Sequence, residues 1–212
     1  AKIIGFSNSE LMRLPITERS TNSIGDVLKN SELMRSYNVK KVVIGIGGTI
    51  TNDFGFGICS QFGLKLFDKE NRELAPIPLN FHKITKITLP QKEFELNLQI
   101  VLDVQIPLFG GDGTTQKFGA QKNSKKSELI LIEEGLINVL RILKNVHNLD
   151  YFSSDFGAGG GLALGLSLIS KVKIIPAQEF ILRNLDLENE IQNSDIIITG
   201  EGSFDSKNSF QK

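Results

Sequence analysis

Asp53, Asp103, Glu201 and Asp205 carry the chemistry most readily available to this chain. The stretch Lys41–Gly57, KVVIGIGGTITNDFGFG, runs from an apolar strand pattern into Gly47, Gly48 and Thr49, and then Asn52 and Asp53. Leu98–Asp103 is a second apolar run that ends in a carboxylate, and Asp195–Glu201, DIIITGE, is a third. Carboxylates in such places can hold Mg²⁺ or take up a proton as a base. Glycine N–H groups beside them can cradle phosphate or carboxylate oxygens. Three strands that each deliver an acid at the same end predict one shared polar site, because open α/β sheets bind ligands beyond their carboxyl ends.

Each candidate also has a plainer reading. Asp53 can cap the helix that follows it, and both roles can hold together. Asp103 ends an apolar run, where a carboxylate costs desolvation unless it is paired. Lys122 follows GGDGTTQKFGA and suits a phosphate as a point charge, but Lys117, Lys125 and Lys126 also fit a solvated basic surface. Glu201 and Asp205 are four apart and share a face on a helical turn; there they bind a metal or act as a base, or they complement the helix dipole from solvent. GGDGTT lacks the Gly-Lys-Ser/Thr of a Walker A loop. Asp155–Gly157 reads DFG, but the other elements of a protein kinase are missing.

Composition bounds the possibilities. The chain has 212 residues, 40% of them hydrophobic, with 24 basic and 24 acidic side chains. That length supports a real core. Zero net charge removes the bulk electrostatic argument for nucleic acid or anionic lipid. The single cysteine, Cys59, excludes an intramolecular disulfide and reads as a small buried apolar residue. His82 and His147 lack metal-ligand spacing. No apolar run is long enough to cross a bilayer and no signal peptide is visible, so the expected location is cytoplasmic.

The elements that must position these residues alternate, which argues for an α/β fold with a mixed sheet and flanking helices. Helices are expected over Gly25–Tyr37, Phe56–Phe62, Glu128–Val146, Leu162–Ser170, Gln178–Leu182 and Asp186–Gln192. Strands are expected over Val42–Ile46 (buried), Leu64–Phe67, Ile84–Leu89, Phe94–Val104 (most buried at Val101–Val104) and Asp195–Thr199. Lys171–Ile175 reads as strand or loop. Pro107–Asn123 and Asp155–Gly161 read as glycine-rich loops; three such loops beside strand ends point to backbone close to a ligand.

Together these residues resemble a family. IGIGGTITNDFGFG is similar to the IGGSATNDGGxG motif of the type I glycerate kinases. LDVQIPLFGGDGTTQKFGAQK resembles that family's CDVxNPLxGxxGAxxxFGPQKG, DFGAGGGLALGL its GAGAAGGxGAGL, and DIIITGEGSFDSK its LVITGEGRxDSQ. Ser20–Leu28 sits where the family has TTSxGTGEL. The resemblance implies a two-domain enzyme with a Rossmann-like domain built from both chain ends and a second domain inserted in the middle. On that pattern residues 1–24 lead in from the first domain, residues 25–194 form the inserted α/β domain, and residues 195–212 return with the GEG motif. The family's N-terminal DSYK-type segment and long C-terminal portion are not in this sequence, which reads as a fragment.

The implied reaction is ATP-dependent phosphoryl transfer to D-glycerate, with Mg²⁺. It assigns Asp103 and Asp205 as catalytic. Gly47, Gly48, Thr49, Asn52, Asp53, Lys122, Gly157 and Gly159 become substrate or phosphate contacts, and Glu201 and Asp205 metal ligands. Self-association is a further expectation if an apolar domain face is exposed. The sequence departs from the family at Phe54, Ile106, Ala120, Ser203 and Gln211. Those departures favour the alternative of a non-catalytic α/β interaction or anion-binding domain.

Overall fold

The computed structural model describes residues 11–30, 38–47, 49–90, 97–119, 122, 124–152 and 156–198. They fall into two compact units that divide between Ala177 and Gln178.

The first unit holds a three-stranded parallel sheet in the order β1 (Lys41–Ile46), β5 (Asn97–Leu102), β6 (Val172–Pro176). β1 and β5 pair from Lys41 opposite Asn97 to Ile46 opposite Leu102. β5 and β6 pair from Leu98 opposite Val172 to Leu102 opposite Pro176. Parallel neighbours need long crossovers. The first crossover carries helix α2 (Phe56–Gln61) and a small antiparallel sheet of β2 (Lys65–Phe67), β3 (Glu73–Leu74) and β4 (Lys86–Thr88) in the order β3-β2-β4. The second carries α3 (Thr114–Gly119), α4 (Lys126–His147) and α5 (Ala158–Ile169).

β5 is central, and every residue from Leu98 to Leu102 is buried, as a strand covered on both faces requires. β1 lies at an edge. Its alternate residues Lys41, Val43 and Gly45 are exposed, so the expected buried strand is a half-exposed one. The expected burial peak at Val101–Val104 is also displaced, since Asp103 and Val104 have already left the sheet and are exposed.

Helix α4 is the longest element, at 22 residues. Ile132, Gly135, Leu136, Val139, Leu140 and Leu143 recur at helical spacing and are all buried. The Glu128 carboxylate accepts the Lys125 amide at 2.7 Å and fixes the helix start. Asn148 ends the helix in the left-handed conformation. Against this face packs the 3-10 turn Pro78–Lys83, held where Asn138 donates to the carbonyls of Phe81 at 2.9 Å and Ile84 at 2.8 Å. Phe81 in turn meets Phe54 and Phe56 at centroid distances of 5.9 and 5.4 Å, and all three rings are fully buried.

Several boundaries differ from the sequence expectation. Helix α1 (Asn22–Asn30) begins three residues early, and residues 31–37 lie outside the described chain. The Pro107–Asn123 loop contains α3, because GGDGTTQKF closes a turn at Gly113 and then carries helix-compatible residues. In the second unit α6 (Ala177–Leu185) and α7 (Leu187–Gln192) have no buried residues. The strand expected at Asp195–Thr199 is not formed over 195–198; Ile196, Ile197 and Ile198 are exposed and unpaired with any strand among the described residues.

Candidate functional site

The parallel register brings two chain turns together. Ile46 lies opposite Leu102, and the next amide, that of Asp103, donates to the Ile46 carbonyl at 3.3 Å. Gly47 and Thr49 therefore leave the sheet beside Asp103. With Lys122, Gly159 and Gly160 they line a cavity of about 250 Å³, whose apolar walls include Ile46, Ile50, Val104 and Phe118. The volume is below the usual range of about 300–1,000 Å³ for drug-sized ligands. It suits a small acid or a phosphoryl group.

Lys122 is the cation of this cavity, and only 7% of it is exposed. Its ammonium donates to the Thr51 carbonyl at 2.7 Å and to the Asn52 side-chain oxygen. Asn52 is itself fully buried and donates to the Thr115 hydroxyl at 3.2 Å. Burial, with the nearby Arg19 charge, lowers the Lys122 pKa to about 7, and Asp53 works in the opposite direction. Among the described residues two acceptors engage the ammonium, which has three protons to donate. Thr49 also lines the cavity, and its hydroxyl oxygen is buried with no hydrogen-bond partner among the described residues.

The glycines beside the cavity are there for space. Gly159, Gly160 and Gly161 all have positive φ, at 62°, 70° and 82°, a conformation that side chains resist. A Cβ on Gly160 would overlap the Thr51 carbonyl, and one on Gly161 would overlap the Phe54 ring. Phe54 has a φ of 53° and no exposure. The bulk that replaces a glycine of the resembled motif is thus accommodated by the glycine opposite, with its strain of about 1–2 kcal/mol offset by burying a phenyl ring.

Asp53 is not among the cavity residues. It is fully buried and accepts the Thr21 amide at 2.6 Å, the Thr21 hydroxyl at 2.8 Å and the Gly57 amide at 3.1 Å. Ser20 and Gly55 donate at 3.2 and 3.3 Å. Burial raises its pKa, and the donors from Thr21, Gly57 and Gly55 oppose that shift. The carboxylate ties the start of α2 to the residues preceding α1, which is the capping role in an enlarged form.

Of the residues predicted as a site, the structure gathers Gly47, Thr49, Asp103, Lys122 and Gly159 around the cavity. Asn52 supports Lys122 from behind. Gly157 is placed elsewhere: its amide donates to the Ile106 carbonyl at 3.0 Å, and a Cβ there would strike Pro107. It packs one loop on another, and Ile106 forms an isolated bridge to Phe156. Gly48, Glu201 and Asp205 lie outside the described residues. Cys59 is buried, with its thiol on the Gly165 carbonyl, and burial pushes its pKa up.

Sequence reasoning missed Arg19, Thr51, Thr115 and Gly160. Arg19 sits in the polar run ERSTNS and reads as surface, yet it is 4% exposed. Thr51 contributes only a main-chain carbonyl, which no side-chain pattern reveals. Among the described residues no three His, Cys, Asp or Glu side chains cluster to hold a metal. No described helix is long and apolar enough to cross a membrane.

The glycerate kinase family model matches residues 1–212, the whole chain. The chain belongs to the glycerate kinase family. A glycerate kinase of Halalkalibacterium halodurans is 30% identical over 178 residues, covering 82% of this chain and 47% of the relative. A glycerate kinase of Neisseria meningitidis is 24% identical over 208 residues, covering 97% and 54%. Glycerate 2-kinase of Escherichia coli is 28% identical over 170 residues, covering 78% and 45%. The chain thus spans about half the length of these curated relatives. A solved glycerate kinase 2 structure from Salmonella typhimurium LT2 superposes with a TM-score of 0.73 at 24% identity, covering 90% of this chain and 52% of that one. The shared fold is the mixed α/β arrangement of parallel and antiparallel sheets described above.

Proposed function

We propose that the cavity binds the anionic end of a small hydroxy acid, D-glycerate, in an ATP-dependent phosphoryl transfer. The supporting observation is that the buried Lys122 lines a cavity that Asp103 and Thr49 also line. Family membership and relatives named glycerate kinase support the choice of substrate.

Phosphoryl transfer depends mainly on positioning and charge stabilisation. Lys122 supplies a point charge to a carboxylate or phosphoryl oxygen. Asp103 takes the proton of the attacking substrate hydroxyl as its oxygen bonds to the terminal phosphorus of ATP and ADP departs. A carboxylate on the rim also fits the sparse protein ligation of Mg²⁺, which needs one or two carboxylates besides phosphates and water. When bound, Mg²⁺ neutralises charge on the nucleotide phosphates. Glu201 and Asp205 remain further candidates for that contact.

A coupled ADP-release assay with D-glycerate, ATP and Mg²⁺ tests this reading. Asp103→Asn should lower kcat by about 10²-fold or more, and Lys122→Met should raise KM for D-glycerate. Wild-type kinetics in both folded variants would remove the cavity as the reaction site.

A further inference from the structure

Arg19 is a buried cation that the proposed reaction does not use. It is 4% exposed, and among the described residues no carboxylate forms an ion pair with it. Its guanidinium instead gathers main-chain carbonyls. Nε donates to Leu14 at 3.0 Å, and one terminal nitrogen donates to both Ile50 and Lys122 at 3.2 Å. Leu14, Ile50 and Lys122 come from three separate chain segments, and the latter two line the cavity. A rigid fork of five donors can join them; an ammonium on a flexible stem cannot do so in the same geometry.

We infer that Arg19 is a positioning residue of the anion site: by clamping the carbonyls of Ile50 and Lys122 it fixes the cavity wall and the Lys122 ammonium relative to one another. This inference rests on the cavity being the anion site proposed above. Arg19 itself lies outside the cavity lining, so it acts through Lys122 and touches no ligand.

Its charge has a second effect. Two cations held near one another each disfavour the other's charged form. Lys122 is the one that yields, because guanidinium keeps its proton. The groups acting on Lys122 are Arg19, which disfavours its charge, and Asp53, which favours it. Asp103 shares the cavity. Arg19 feels Glu128, which partly offsets its burial.

Sulfate is the appropriate probe, because its charge is constant between about pH 6 and pH 9 while lysine titrates. Sulfate affinity is measured by calorimetry across that range for the wild type, Arg19→Lys and Arg19→Met, with the Lys122 side chain titrated in parallel by NMR. Arg19→Lys keeps the charge and loses the fork; it should weaken sulfate about fivefold with the pH midpoint unchanged. Arg19→Met should weaken sulfate in its low-pH limit and move the Lys122 midpoint upward by about half a pH unit or more. Wild-type affinity and midpoint in both variants would overturn the inference. Should Arg19→Met fail to fold, wild-type affinity in Arg19→Lys alone would overturn it. Absence of sulfate binding by the wild type removes the anion-site reading itself, a different result from retained binding that ignores residue 19.

Discussion

The Lys122 ammonium donates to the Thr51 carbonyl at 2.7 Å from a side chain that is almost wholly buried. The carbonyl carries no charge to balance it, so burial dominates and the folded pKa falls from 10.5 to about 7. Between those values the unfolded chain binds a proton that the folded chain does not. Stability therefore rises with pH across this window, and the contribution is lost as pH falls through about 7. The slope due to this group approaches about 1.4 kcal/mol per pH unit. Denaturant unfolding of wild type and Lys122→Met at several pH values should show that slope in the wild type and its loss in the variant.

The same titration governs ligand binding. An anion favours protonated Lys122, so binding above about pH 7 must be accompanied by proton uptake. Sulfate affinity should be near its limit below that pH and fall by up to about tenfold per unit above it. Calorimetry in buffers of different ionisation enthalpy measures the proton directly. A flat affinity up to pH 9 would separate Lys122 from the anion.

Asp53 should matter for stability. Asp53→Ala leaves the amides of Thr21, Gly55 and Gly57 without their buried acceptor. Unpaired buried donors cost about 1–3 kcal/mol each, so a loss of at least about 3 kcal/mol is expected by chemical denaturation. Sulfate affinity per folded molecule should change far less than it does in Lys122→Met.

Much of this arrangement was legible before the fold was known, and the exceptions have physical causes. The apolar runs ending at Ile46 and Leu102 read as strands because buried parallel strands are continuous in hydrophobicity, and β5 satisfies that fully. β1 (KVVIGI) is as apolar a run but lies at an edge of the sheet among the described residues, which sequence cannot distinguish. Asp103 and Lys122 were recognisable as charges placed at strand and loop ends. Asp53 has an equally suggestive position, and its role turned on where Thr21 sits, 32 residues earlier in the chain. Arg19 and the Thr51 carbonyl were invisible because their contacts are long-range and involve main chain. The DIIITGE run has the pattern of a strand, but a strand needs a neighbour, and residues 195–198 have none among the described residues.

Two glycines with positive φ should respond differently to alanine. Gly160→Ala forces a methyl group into the Thr51 carbonyl, the acceptor of Lys122. Besides backbone strain it must displace main chain, and a loss above about 3 kcal/mol is expected. Gly110 has a φ of 90° but open space at its Cβ position, so Gly110→Ala should cost only about 1–2 kcal/mol of conformational strain. Thermal and denaturant melts of the pair separate steric from conformational cost.

The most direct measurement is a crystal structure of the protein with D-glycerate bound. The expected result is the ligand carboxylate within hydrogen-bonding distance of Lys122 Nζ, with a hydroxyl directed at Asp103. Ligand seated elsewhere, with the space between Thr49, Asp103 and Lys122 filled by water, would contradict the assignment.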